Sequence, residues 1–149
     1  MADDWRSRVL VTPEAIGALL AGMRRVAVLG ARPPSQSFKP AYYVPEALQR
    51  MGLVIVPVVV HDHDETEILG ETVYRRLADV PGHIDVVDVF RRPADLPGHV
   101  DYIIAAAPGA VWLQSGIRND EVAERLARAG IAVVQDRCLM VDYRGMGRS

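Results

Sequence analysis

Short, continuous apolar runs alternate with amphipathic stretches along the whole chain, and this alternation leaves few folds open. Runs rich in β-branched residues occupy positions 26–29, 53–60, 84–89, 110–113 and 131–134. Runs of this kind suit strands buried on both faces, as in a parallel sheet. Between them lie segments with helical spacing. Thr12 and Pro13 supply an N-cap and a first-turn proline, and Gly22 a stop. Residues 42–51 carry Val44, Leu48 and Met51 on one face, with Pro45 placed in the first turn and Gly52 as terminator. Asn119 opens a further helix whose stripe is Val122, Leu126 and Ala129, closed by Gly130. Residues 93–107 are interrupted by Pro97 and Gly98, and Pro108 follows them. Strand and helix in repeated alternation imply parallel strands joined by right-handed crossovers. The expected fold is α/β: a Rossmann-like, doubly wound parallel sheet of about five strands. It forms a single domain over residues 12–144, with loose tails at 1–11 and 145–149.

At 149 residues, half of them hydrophobic and 24% charged, the chain has the size and composition of one core-forming domain. The formal net charge of −2 offers no basic surplus for nucleic acid. The apolar runs are too short to span a bilayer. The acidic start, Met1-Ala2-Asp3-Asp4, is unlike a secretory signal, so a cytoplasmic location is expected. The single cysteine, Cys138, excludes an internal disulfide and reads as a buried, inert thiol.

In an open parallel sheet, ligands bind beyond the carboxyl ends of the strands, where strand order reverses. The loop after the first strand, from Gly30 to Pro40, is therefore the first candidate site. Gly30 allows a tight turn, Ser35 and Ser37 offer hydroxyls, and Arg32 and Lys39 offer charge; Lys39 is the only lysine. The helix that follows favours an anion at its start. The loop lacks the G-x-G-x-x-G dinucleotide fingerprint. The second strand also ends in Val58, Val59 and Val60, not in the acidic residue that holds a ribose diol, which disfavours NAD.

Three more strand ends converge there. Phe90, Arg91 and Arg92 combine an aromatic ring with two guanidiniums, suited to a base and a diphosphate. Trp112, Gln114 and Ser115 follow on the next strand, and Asp136 and Arg137, expected to pair with each other, on the last. A rival feature is His61-Asp62-His63-Asp64-Glu65, whose alternating imidazoles and carboxylates suit a divalent metal, although a solvated loop is the simpler reading. No Gly-x-Ser-x-Gly elbow is present, and Cys138 has no evident histidine partner.

The strings Val87-Asp-Val-Phe-Arg-Arg-Pro93, Ala110-Val-Trp-Leu-Gln-Ser-Gly-Ile117 and Val133-Val-Gln-Asp-Arg-Cys138 resemble the small stand-alone CoA-binding proteins. Their domain is similar to the CoA-binding domain of the succinyl-CoA synthetase α subunit. Glu67-Ile-Leu-Gly-Glu71 and Val56-Pro57-Val58 match as well, and the resemblance covers about residues 25–143. It implies a non-catalytic protein binding coenzyme A or an acyl-CoA. Gly30, Ala31, Arg32, Ser35, Ser37, Lys39 and Pro40 would then surround phosphate, and Phe90, Arg91 and Arg92 would contact the nucleotide. Val58, Trp112, Gln114 and Ser115 would line the pocket. Ligase activity is not implied, since the synthetase relies on a phosphohistidine from a second domain. Two departures stand out. The family's Gly-x-Ser is Gly30-Ala31-Arg32 here, in a loop about two residues longer, and its Val-Asn-Pro is Val58-Val59-Val60. An NADP-dependent or metal-dependent enzyme using the same cleft is the alternative, since Arg32, Arg91 and Arg92 also suit a 2′-phosphate.

Overall fold

In the computed structural model, which describes residues 4–60 and 64–146, each of the five apolar runs contains a strand. The strands are β1 (Arg25–Leu29), β2 (Val54–Val58), the two-residue β3 (Glu67–Ile68) and β4 (Glu71–Thr72), β5 (Val86–Val89), β6 (Ala110–Leu113) and β7 (Ala132–Val134). The five longer strands form one parallel sheet in the order β2-β1-β5-β6-β7, and β3 and β4 form a separate antiparallel pair. The helices are α1 (Pro13–Gly22), α2 (Pro40–Arg50), α3 (Val100–Ala106), α4 (Asp120–Arg128) and α5 (Leu139–Met146). Helices α1, α2 and α5 pack on one face of the sheet, against Val26, Val28 and Trp112. Helices α3 and α4 pack on the other, against Leu29, Val87 and Val111. This is a doubly wound, Rossmann-like fold. Helices cover both faces of the five-stranded sheet, which is why its strands appear in sequence as apolar runs.

Local chemistry sets the helix limits. Thr12 Oγ1 accepts from the Ala15 N–H at 3.2 Å, and Asn119 Oδ1 accepts from the Val122 N–H at 3.1 Å, so both expected N-caps form. Gly52 and Gly130 adopt φ values of +100° and +88°, and the residue after each donates back to the helix, Leu53 to Leu48 and Ile131 to Leu126. On α4 the buried face is Val122, Ala123, Leu126 and Ala127, whereas Ala129, expected on the stripe, is exposed.

Helix α2 departs from expectation in a way that shapes the site. It begins at Pro40, not Tyr42, so Pro45 lies inside the helix rather than in its first turn. The proline withholds the N–H that would have bonded to the Ala41 carbonyl. The Arg32 N–H occupies that acceptor at 3.3 Å, tying the loop after β1 to the helix.

Part of the expected N-terminal tail is also held. Val9 bridges Val133, the Leu10 N–H donates to the Val133 carbonyl at 2.8 Å, and Trp5 lies under the Arg128 guanidinium. At the other end, α5 runs to Met146, two residues into the expected C-terminal tail. None of the helices among the described residues is long and apolar enough to cross a membrane.

Candidate functional site

The chain crosses from β1 to β2 on one side and then returns past β1 to β5 on the other, so strand order reverses between β1 and β5. A crevice opens beyond the carboxyl ends of strands at such a point. Gly30, directly after β1, has φ of +96°. A Cβ there would lie 2.7 Å from the Phe90 carbonyl oxygen, so the neighbouring strand end by itself requires a glycine here. The N–H groups of Gly30 and Ala31 both donate to the Val58 carbonyl, at 2.9 and 3.2 Å. The Gly30 and Ala31 amides are therefore already used in joining β1 to β2.

Side chains supply what these amides do not. Arg32, Lys39, Pro40, Phe90, Arg91, Arg92, Gln114 and Ser115 all line one cavity of about 630 Å³. Eight expected residues from three separate loops thus come together. The sequence reading missed the opposite wall, where Cys138, Met140 and Val141 bring in the start of α5, and Tyr43 and Val44 belong to α2. Two helix N-termini consequently open on the same space. At α2, Pro40 has no N–H to satisfy, and the Ala41 N–H has no acceptor among the described residues. At α5, buried Gln114 accepts the Leu139 N–H through Oε1 at 3.0 Å, so Gln114 caps the helix that forms the wall.

The cavity is strongly cationic. Arg32 faces Arg91, and no carboxylate pairs with Arg32 among the described residues. Burial, reinforced by the neighbouring Arg91 charge, holds the Arg32 guanidinium below its usual pKa. Arg91 is three-quarters or more covered and lies 3.4 Å from Asp95; Arg92 is 84% exposed and pairs with the same carboxylate at 3.0 Å. The Arg92 hydrogen bond is the main reason that Asp95 sits below the ordinary carboxylate range. Arg91 Nε also donates to His99 Nε2 at 3.3 Å. Burial, and then the Arg91 charge, lower the His99 pKa and favour the neutral ring that accepts this bond. One carboxylate thus serves two arginines and the third has none, an arrangement suited to a polyanion.

Other expected residues fall elsewhere. A 3₁₀ turn at Pro34–Gln36 takes up the extra loop length and leaves Ser35 and Ser37 exposed, away from the cavity lining. Val58 lines a second cavity of about 580 Å³ on the α3 face. Trp112 is fully buried between the sheet and its helices, its indole N–H donating to the Arg137 carbonyl at 2.7 Å, so it supports the site from the core and does not line it. Asp136 accepts from the Gly116 N–H and Arg137 pairs with Asp142, in place of the expected mutual pair. Cys138 is only half-buried and lines the cavity, contrary to the inert core position expected. His61, Asp62 and His63 lie outside the described residues. Among the described residues, no three His, Cys, Asp or Glu side chains are grouped to hold a metal.

Asp88, in the middle of β5, was not singled out by sequence reading. It is fully buried between Val28 of β1 and Trp112 of β6, neither carboxyl oxygen has a hydrogen-bond partner among the described residues, and burial raises its pKa well above the ordinary value.

Comparison with known proteins agrees with this architecture. The Bacillus subtilis (strain 168) protein YneT is 33% identical over 130 residues, covering 86% of this chain and 91% of its own. A solved structure from Thermus thermophilus superposes with a TM-score of 0.84 at 40% identity, covering 91% of this chain and 99% of that one. A hypothetical protein from Pyrococcus horikoshii OT3 gives a TM-score of 0.81 at 29% identity, with 91% and 92% covered. The sequence pattern of the CoA binding domain matches residues 24–144, a span that takes in the switch point, all five sheet strands and both helix N-termini. The chain belongs to the CoA binding domain family.

Proposed function

We propose that the protein binds coenzyme A or its thioesters without a chemical step of its own, holding the phosphates in the cavity between α2 and α5. The observation that carries this reading is the meeting of Arg32, Lys39 and Arg91 with two helix N-termini in one cavity at the strand switch point. Positive side chains and helix dipoles act in the same direction on a diphosphate. Phe90 and Tyr43, lining the same cavity, give a flat base apolar surface to lie against. With the Gly30, Ala31 and Arg32 amides committed, the start of the β1 loop contributes through the Arg32 side chain. That side chain stands where the family has a serine, so here a guanidinium does the work of a hydroxyl.

Calorimetric titration with CoA, dephospho-CoA and NADP tests the reading. CoA is expected to bind saturably, and more weakly as salt rises, because part of the attraction is between charges near solvent. Arg32→Ala is expected to lose about 1.5–3 kcal/mol of binding free energy, the range for a charge-assisted contact. Arg92→Ala, exposed and already paired, is expected to lose no more than about 1 kcal/mol. Saturable NADP binding with no CoA binding would replace this reading with a nucleotide-dependent enzyme.

A further inference from the structure

The Arg91 side chain is 16% exposed and is held by the turn that follows it. The 3₁₀ segment Pro93–His99 begins just after Arg91 and Arg92 and carries Asp95 and His99 one helical turn apart. Asp95 takes Arg91 Nη2 at 3.4 Å, and His99 Nε2 accepts from Arg91 Nε at 3.3 Å. Nε and Nη2 form one edge of the planar guanidinium, so the two residues together fix the plane in which it lies. Arg91 lines the cationic cavity, and neither of its two holders does. Asp95 is shared with Arg92, which approaches it more closely, at 3.0 Å. The His99 ring has no other hydrogen-bond partner among the described residues.

We propose that His99 is a positioning residue for phosphate binding, which holds Arg91 in place only while its ring is neutral and so makes CoA affinity fall in acid; this rests on the CoA reading above. The bond needs a neutral ring with its proton on Nδ1, because an imidazolium has no acceptor. A proton on Nε2 would remove the bond and set a second cation against Arg91. A charged ring would also draw phosphate, but it stands outside the cavity with Arg91 in between, so the displacement of Arg91 outweighs that attraction. The charges around the ring act in both directions. Arg75, Arg76 and Tyr102 line the same space as His99; Arg76 pairs with Asp79 at 3.5 Å, and Arg75 donates to the Glu65 carbonyl at 3.4 Å. On α3, Asp101 is turned to Arg125 at 2.8 Å. Asp95 favours the charged ring, yet burial and then Arg91 outweigh it and hold the ring below the ordinary imidazole pKa. The loss of affinity therefore belongs on the acid side of that ordinary value.

Calorimetric titration of the wild-type protein and His99→Gln with CoA, from pH 8 down to pH 5, tests the proposal. The glutamine oxygen can accept from Arg91 and does not titrate. At pH 8 the two proteins are expected to agree within about twofold, and at pH 5 the wild type is expected to bind roughly fivefold more weakly, the equivalent of one net hydrogen bond. Comparing them at each pH cancels the titration of the ligand's own phosphate monoester. His99→Leu, with no acceptor, is expected to bind roughly fivefold more weakly than wild type already at pH 8. Parallel profiles for wild type and His99→Gln would overturn the proposal and leave the CoA reading standing, as would a wild type that gains on the variant in acid. Should His99→Gln fail to fold, NMR titration of the His99 ring in the wild-type protein decides. Linkage requires CoA to lower the pKa of that ring, and a raised or unchanged value would overturn the proposal. Absence of CoA binding at every pH would overturn the reading beneath it as well.

Discussion

At the scale of single residues, two positions carry constraints that their neighbours do not. Gly30 combines φ of +96° with a backbone oxygen 2.7 Å from where a Cβ would stand. Gly30→Ala is therefore expected to destabilise the fold by at least about 1–3 kcal/mol, the range for a side chain held in such a backbone conformation. Urea denaturation measures this, and a variant as stable as wild type would return Gly30 to a ligand-facing role. Asp88 is the second position. Its folded pKa is raised by burial, so between the ordinary carboxyl pKa and the raised one the unfolded chain loses a proton that the folded protein keeps. The stability associated with Asp88 is thus fully present at low pH and is lost as pH rises through that window. Asp88→Asn cannot ionise, and its melting temperature relative to wild type is expected to climb from pH 4 to pH 8. A difference that stays constant with pH would show that Asp88 is ionised in the folded state. The sequence carried a sign of this residue, an acid inside the apolar run Val86-Val87-Asp88-Val89, but nothing local says which face it turns to.

At the scale of elements, the strands were legible because burial on both faces makes each an uninterrupted apolar run, and the N-caps because Thr12 and Asn119 act on residues only three positions away. The start of α2 was not legible. Pro45 looks like a first-turn proline until the Arg32 amide, distant in sequence, is seen to take the carbonyl it leaves open. The role of Gln114 was hidden for the same reason, since the Leu139 amide it caps lies 25 residues away. Gln114→Ala would leave that amide buried without an acceptor and is expected to lower stability by about 1–2 kcal/mol. CoA affinity should fall with it, as the start of α5 frays. Ser115→Ala, exposed on the same strand end, should change stability by under about 0.5 kcal/mol. Denaturation and titration of the two variants check this, and equal behaviour would mean that Gln114 does not hold α5 in place.

At the scale of the whole molecule, two winding directions from β1 create one crevice, and the chain places most of its charge-bearing loops there. The edges of the sheet are covered in a matching way. Val9 and Leu10 lie along β7, and Tyr74 bridges Val58 on β2, so neither edge strand presents a bare ladder. The first of these coverings arises within a segment that composition marks only as a tail. Strand-end chemistry made one side of the site visible in sequence, because Phe90 and Arg91 follow β5 directly and Arg32 and Lys39 lie in the loop between β1 and α2. The far wall, built by Cys138 and Met140 at the start of α5, and the separation of the crevice into two cavities depend on how layers pack, and no short motif records that. In the proposed function the CoA phosphates lie between α2 and α5. A crystal structure of the protein with CoA tests it most directly. The diphosphate is expected within hydrogen-bonding distance of the Arg32 and Arg91 guanidiniums, with the starts of α2 and α5 on either side. Phosphates found against Arg75 and Arg76 in the second cavity would contradict it.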